Sequence, residues 1–266
     1  MTTLLKGLSR QSRQRFDEHG LVKLEGLVAR RTAEQMADIL WQDLARRHRI
    51  QRRDRATWRI ERPSDFKQLR QTDAFRAMAT PEVRAVLDDL LGRGQWVEPD
   101  AWGQPLVCFP TPRGRWDVPH QHWHLDLPAH PERFRLLIGR LFMLVAPLRA
   151  QGGGTLVATG SHRLIEALSD QADVELSSAV MRRHLKSQHR WFAELMAPTR
   201  DFDRSERFMG APTLIQGVPI QVEEMTGEPG DVFLMHPAAL HAGAPNTGDE
   251  PRLVLTQFVN PKAYFA

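Results

Sequence analysis

The sequence predicts a mainly β protein with flanking helices. From about residue 104 onward, short apolar runs alternate with Gly- and Pro-rich turns, which is the signature of an antiparallel barrel or sandwich. Ahead of them, the first third carries apolar residues at helical spacing. A second helix-like stretch, residues 163–218, interrupts the strands. At 266 residues the chain fits one large domain with elaborations. The expected layout is a single domain, 1–266. Residues 1–103 form a mostly helical part packing on the strands, 104–162 and 219–260 supply the strands, and 163–218 are a helical insertion near their open end. A lid, a substrate-binding element or a dimer contact are all open for that insertion.

The elements follow in order. Gly20-Leu21-Val22-Lys23-Leu24 reads as a short strand. Thr32-Ala33-Glu34-Gln35 has the form of a capping box, followed by Met36, Ile39, Leu40 and Leu44 at helical spacing. The next helix is better punctuated. Thr80 can cap it, Pro81 suits its first turn, Gly92 can end it, and Val83, Val86, Leu87, Leu90 and Leu91 make one apolar face. Pro105 to Phe109 reads as a strand, and Arg115 to Pro128 alternates in polarity. Leu136 to Leu148 is a long apolar run, and Thr155 to Ala158 is a short strand closed by Gly160-Ser161. In the insertion, Leu164, Leu168, Val180, Leu185, Trp191 and Leu195 are candidate buried positions. Strands resume at Ile220 to Met225, Asp231 to Met235 and Arg252 to Phe258.

Composition narrows the function classes. Hydrophobic residues at 41% and charged residues at 26% are the balance of a soluble globular chain. No stretch approaches the roughly 20 apolar residues of a membrane span. The start, Met1 to Lys6, lacks the sustained apolar region of a secretory signal, so a cytoplasmic setting is expected. The single cysteine, Cys108, excludes an intramolecular disulfide and any Cys-rich metal site. The formal charge of +4 is mild, but Arg46, Arg47, Arg49, Arg52, Arg53, Arg55 and Arg59 crowd one stretch. Such a run suits a phosphate or a nucleic acid. A solvated helix end explains it more simply, because cations favour a helix C-terminus.

The segment His120-Gln121-His122-Trp123-His124-Leu125-Asp126 stands apart. On a strand, side chains two apart share a face, so His120, His122, His124 and Asp126 are expected together. Burying several imidazoles and a carboxylate on one face is costly unless something pairs with them, and a divalent metal is the natural partner. Two ligands at i and i+2 plus a third from elsewhere leave one face of the metal open. Two histidines and a carboxylate arranged so are the facial triad of non-haem iron(II) oxygenases. The bland alternative is an exposed or adventitious His-rich segment. Near the other end, Asp231 to Met235 reads as a strand leading through His236 to His241, and Arg252 follows eleven residues later across a turn. Arginine binds carboxylates bidentately, so a dicarboxylate could chelate the metal with one end and meet Arg252 with the other. A loop histidine and a strand-edge cation are the plain readings of the same two residues.

These residues resemble the phytanoyl-CoA dioxygenase family, part of the iron/2-oxoglutarate oxygenase superfamily. Trp123-His124-Leu125-Asp126 is similar to its Trp-His-x-Asp element. Gly153 to Arg163 looks like its Gly-rich strand ending in Gly-Ser-His. The stretch from Gly230-Asp231 through His241, Asn246 and Arg252 resembles its closing motif, and Phe16 to Val28 its opening strand. The resemblance spans most of the chain. It implies a double-stranded β-helix core (a jelly roll, cupin-like) and the cofactors Fe(II), 2-oxoglutarate and O2. It implies His124, Asp126 and His241 as iron ligands and Arg252 as the 2-oxoglutarate anchor. His236 is the rival to His241, whose distance to Arg252 matches the family. Thr155 and Thr256 are candidates to touch 2-oxoglutarate, and Trp123 is expected in the core. His120, His122 and Arg182 are candidates to bind substrate. The implied activity is oxidation, chiefly hydroxylation, of a small-molecule C–H bond. Arg182, Arg183 and His184, with the arginine run, suggest an anionic substrate. The 115-residue separation of Asp126 from His241 departs from the family by the insertion. Two rival classes remain: a cupin-like metalloenzyme that does not use 2-oxoglutarate, and a non-catalytic anion- or nucleic-acid-binding protein.

Overall fold

A computed structural model describes residues 7–111, 115–126, 136–170, 177–198 and 201–265. Expectations for residues 1–6, and the end of the segment through Pro128, lie outside them. Two antiparallel sheets form the centre. The larger has the order β1-β7-β3-β9-β2 and the smaller β5-β6-β4-β8. In chain order the strands are β1 (Leu21–Leu24), β2 (Gln104–Cys108), β3 (Gly139–Leu144), β4 (Thr155–Thr159), β5 (Thr213–Ile215), β6 (Val218–Glu224), β7 (Val232–Met235), β8 (His241–Gly243) and β9 (Arg252–Val259). The helices are α1 (Arg10–His19), α2 (Arg30–His48), α3 (Lys67–Gln71), α4 (Pro81–Leu91), α5 (Ser161–Ser169), α6 (Ser178–Gln188), α7 (Arg190–Leu195) and α8 (Arg204–Met209). No helix among the described residues is long and apolar enough to cross a membrane.

The pleat sorts side chains into layers. On β3, Leu141 and Met143 face α2 and α4 in one core that also holds Val232, Leu234, Leu253 and Leu255. The alternate residues Phe142 and Leu144 join Phe233, Met235, Val254 and Val157 between the sheets. Outside the smaller sheet, Leu156, Ala158, Ile220 and Val222 pack with α5, α6, α7 and α8. The chain is therefore helices, sheet, sheet, helices. β3 is buried on both faces, which explains the near-continuous apolar run from Leu136 to Leu148. Gly139 lets α4 approach it, since a Cβ there would stand 2.8 Å from Leu87.

Several expectations need correction. The helix α2 starts at Arg30 with Ala29 as N-cap and no side-chain cap bond, so Thr32 lies inside the first turn and no capping box forms. The segment 163–218 is not purely helical: β5 pairs with β6. Its described helices cover the outer face of the smaller sheet. In the N-terminal part the expected strand is present as β1, which pairs with β7. By contrast α4 follows its sequence signals: Thr80 Oγ1 accepts from Val83 N, Pro81 opens the helix and Gly92 ends it. The arginine run is largely neutralised. Arg46 and Arg47 meet the buried Asp43, Arg52 meets Asp38, and Arg55 meets Asp249 and Glu250.

His162 seats α1 and α5 together. Its Nε2 lies 3.1 Å from the Asp17 carbonyl, and its ring stands 4.8 Å from that of His236. Burial first, then the charge of His236, pushes its pKa down to about 4. An unfolded imidazole titrates near 6.5, so between those values the unfolded chain binds more protons and stability is lost as pH falls. Denaturant titrations from pH 7 to pH 4.5 are expected to show this loss, and His162→Gln to show a shallower one. At neutral pH, Thr80→Ala should cost about 1 kcal/mol as a lost cap. Thr32→Ala, by the same measurement, should cost nothing resolvable.

Candidate metal and 2-oxoglutarate site

The site begins with backbone pairing. His124 N donates to His241 O at 2.9 Å and His241 N donates to His124 O at 3.0 Å. This reciprocal antiparallel pair sets the two histidines opposite each other, with ring centroids 4.2 Å apart. Asp126 N donates to Pro237 O at 3.1 Å, which keeps the segment running beside the approach to β8. Asp126 then shares the face of His124. One ligand atom from each of His124, Asp126 and His241 lies within 4.8 Å of the others. It is the group of metal-capable side chains found among the described residues.

Both imidazoles are oriented alike. His124 Nδ1 lies 2.8 Å from the His122 carbonyl and His241 Nδ1 lies 3.0 Å from the Ala239 carbonyl. A carbonyl only accepts, so each Nδ1 carries the hydrogen and each neutral ring turns an Nε2 lone pair inward. Histidine ligands held this way are pre-set for a metal. The Nε2 of His241 is 3.4 Å from Asp126 Oδ2, and that of His124 is 3.9 Å from Asp126 Oδ1. Burial alone would raise the Asp126 carboxyl. Its contact with His241 and then the guanidinium of Arg140 nevertheless hold it well below the ordinary carboxylate range. Burial, then His241, lowers His124, favouring the neutral, ligating form.

Arg140 was not foreseen from the sequence. It lies on β3, 7% exposed, and its Nε donates to Asp126 Oδ2 at 2.8 Å. Its guanidinium carbon sits 3.9 Å from the centroid of the Phe258 ring and 4.4 Å from that of Phe142, with Thr256 Oγ1 in contact. One carboxylate oxygen is thereby committed to Arg140. The signal was present: an isolated arginine within an apolar run on a strand buried on both faces. Arg140 also forms part of the wall of a cavity of about 680 Å³, with Gln104, Leu106 and Phe258. Thr256 takes part in this contact. It shares the inner face of β9 with Arg252, but its hydroxyl donates to Leu141 O at 3.0 Å and receives Arg140.

Arg252 is 8% exposed at the start of β9. One Nη donates to Gly153 O at 2.8 Å, while its buried Nε has no partner. No carboxylate among the described residues lies within ion-pair distance of it, and burial lowers its pKa. Such a cation calls for an anion. Asn246, fully buried, shapes the turn that brings His241 and Arg252 onto neighbouring walls. Its Nδ2 donates to Cys108 O and Glu250 O, both at 2.9 Å. Gly153 (φ +83°) packs on it, where a Cβ would stand 2.9 Å away. Thr155 is buried on the inner face of β4, paired with Gly243.

His120 and His122 do not join the triad. His122 has φ +64°, a left-handed turn that ends the alternation expected from residue 120 onward. They line outer concavities instead. His236 is likewise elsewhere, with Nε2 3.3 Å from Glu166. Trp123 is buried, as expected, its Nε1 donating to Pro119 O at 2.8 Å. Arg182 donates to Trp123 O at 2.9 Å, bracing the residue before His124. Ser178 Oγ accepts from Leu125 N at 3.0 Å. Arg204, nearly fully buried, donates to the carbonyls of Val118, Pro119, Glu194, Leu195 and Ala197. The insertion thus buttresses the ligand segment from behind.

A family model described as phytanoyl-CoA dioxygenase matches residues 16–254. The chain belongs to the phytanoyl-CoA dioxygenase family. It is accordingly a non-haem iron(II)- and 2-oxoglutarate-dependent enzyme. Among solved structures, this dioxygenase-family chain is similar to HygX from Streptomyces hygroscopicus, crystallised with nickel and 2-oxoglutarate. The two share 14% identity and a TM-score of 0.57, covering 96% of this chain and 88% of that one. EvdO2 from Micromonospora carbonacea var. aurantiaca gives 15% identity and a TM-score of 0.53, covering 97% and 93%. The epimerase SnoN, in complex with Fe3+, alpha ketoglutarate and nogalamycin RO, gives 16% and 0.51, covering 94% and 82%. At such identities the fold is what is shared. No curated protein matches the chain significantly.

If Arg140 orients Asp126, Arg140→Met should weaken cobalt(II) binding by roughly tenfold or more, the usual cost of losing an outer partner of a ligand. Calorimetry on the metal-free protein, with circular dichroism to confirm folding, reads this without turnover.

Proposed function

We propose that this oxygenase inserts oxygen into an unactivated C–H bond of a small-molecule substrate, with His124, Asp126 and His241 holding iron(II) and Arg252 anchoring 2-oxoglutarate. The observation that carries the reading is the pairing of two features. Three inward-facing donors lie within 4.8 Å of one another, and a buried arginine without an anionic partner opens the strand after the turn from His241. The two sheets are read as a double-stranded β-helix, with residues 1–103 and 163–218 as its flanking parts in one domain.

The donor set fits the metal. Two neutral imidazoles and a carboxylate suit iron(II) and leave positions open for a chelating keto acid and dioxygen. When bound, iron(II) with 2-oxoglutarate and dioxygen supplies the oxidation of the C–H bond, giving succinate and carbon dioxide alongside the product. The chain's own part is positional. The Nδ1 bonds to His122 O and Ala239 O keep both Nε2 atoms inward. Arg140, after His241, helps keep Asp126 ionised, and it holds one of its oxygens. Arg252 offers its unpartnered Nε to the distal carboxylate of 2-oxoglutarate, in a wall dry enough to make that contact strong. Thr155, on the facing strand, lines the same space. Because Asp126 supplies a carboxylate where a halide would otherwise bind, hydroxylation is favoured over halogenation.

Anaerobic titration of the metal-free protein with iron(II) and 2-oxoglutarate tests this through the weak visible charge-transfer band of the chelated keto acid. A band is expected in the parent, absent in His241→Ala and much weakened in Arg252→Ala. Iron binding without a band, indifferent to Arg252, would sink the 2-oxoglutarate assignment and favour the cupin-like reading.

A further inference from the structure

Most of the chain's surface arginines are already paired. Arg13 meets Asp17, Arg15 meets Glu223, Arg30 meets Glu34, Arg149 meets Glu228, and Arg190 and Arg207 meet Glu194. One group differs. On α6, Arg182, Arg183 and Lys186 are spaced so that, with Ala179, they form one stripe of the helix. The helix itself contains no acidic residue. None of the three cations has a carboxylate within ion-pair distance among the described residues. The stripe lines a concavity of about 500 Å³ whose other wall is the ligand segment itself, His120, His122 and Trp123, and among the described residues no carboxylate belongs to that lining. Arg183 and Lys186 are exposed, whereas Arg182 is half-buried. Arg182 spends one Nη on Trp123 O, and its Nε is buried without a partner.

Like charges held this close repel one another, and no carboxylate among the described residues offsets them. Arginine and lysine so placed bind a phosphate or carboxylate by charge-assisted hydrogen bonds. The small side chain of Ala179 leaves the concavity open between the helix and the segment. The wall includes His122, whose carbonyl orients His124 Nδ1, so a group bound here lies beside the ligand segment. We propose that this concavity is a subsite for an oxyanion, a phosphate or carboxylate, carried by the substrate on a part remote from the oxidised carbon. The proposal rests on the oxygenase reading for the word substrate. The anion site itself does not.

The test is calorimetric titration of the metal-free, full-length protein in low salt with inorganic pyrophosphate and, in parallel, with citrate. The wild type is expected to bind at least one of them, more weakly as salt is raised. Arg183→Glu/Lys186→Glu should bind at least about tenfold more weakly, since each reversal replaces attraction with repulsion. Arg10→Glu/Arg31→Glu, an equal change of charge on exposed residues outside the cavity, should bind as the wild type does. Preference for pyrophosphate assigns the site to phosphate, and preference for citrate assigns it to carboxylate. Equal affinity in the Arg183/Lys186 variant and the wild type, or no binding of either anion to the wild type, overturns the subsite. If the wild type gives no iron/2-oxoglutarate band yet its anion binding depends on Arg183 and Lys186, the oxygenase reading fails and the anion site stands.

Discussion

The reciprocal backbone bonds between His124 and His241 join parts of the chain 117 residues apart, and the rest of the site hangs on them. An antiparallel hydrogen-bonded pair fixes two side chains on the same face at neighbouring positions. With one ligand on each strand, that register alone delivers two imidazoles to one point. Asp126 follows because it is two residues on, and the turn shaped by Asn246 brings β9 back with Arg252. A slip of one residue would turn either histidine to the opposite face and into the outer core. The structure resists such a slip from outside. Leu125 is held by Ser178, Trp123 by Arg182, and Val118 and Pro119 by Arg204.

That outer support gives the insertion between β4 and β6 its physical meaning. Helices α5, α6, α7 and α8 bury the outer face of the smaller sheet, as any amphipathic layer would. Their polar residues, however, converge on the ligand segment, which is irregular apart from a single bridge. A segment with few ladder bonds must satisfy its carbonyls another way. Arginines do that here: Arg204 serves the Val118 and Pro119 carbonyls and Arg182 that of Trp123. The irregularity is itself useful, because the left-handed turn at His122 aims its carbonyl at His124 Nδ1.

Local signals made much of the fold legible. Thr80, Pro81 and Gly92 fixed the ends of α4, and apolar runs bounded by Gly or Pro marked β6, β7 and β9 close to their observed limits. The strands β5 and β8 have three residues each, too few to show a period. Thr32 failed as a cap because helical backbone already begins at Arg30. In the site, His124, Asp126, His241 and Arg252 stood out through spacing and family resemblance, and the fold brings the first three together. His120 and His122 were misplaced because alternation was assumed to run past a residue whose backbone is left-handed. Arg140 was passed over inside an apolar run that otherwise read correctly as a buried strand.

Arg140 and Arg252 show why a buried charge tells more than its burial. Both lie on inner faces of the larger sheet, both are almost fully covered, and burial lowers the pKa of each. Arg140 has its carboxylate in Asp126, so its charge is offset within the chain. Arg252 has one carbonyl for one Nη and nothing for Nε. A buried cation with no ion-pair partner is costly unless something outside the chain completes it. The difference between these two arginines, which no composition or periodicity reveals, separates a residue that serves another residue from one that waits for a ligand. The same distinction on the surface separates Arg46 and Arg47 of α2, paired with Asp43, from the basic stripe of α6, which has no carboxylate partner among the described residues.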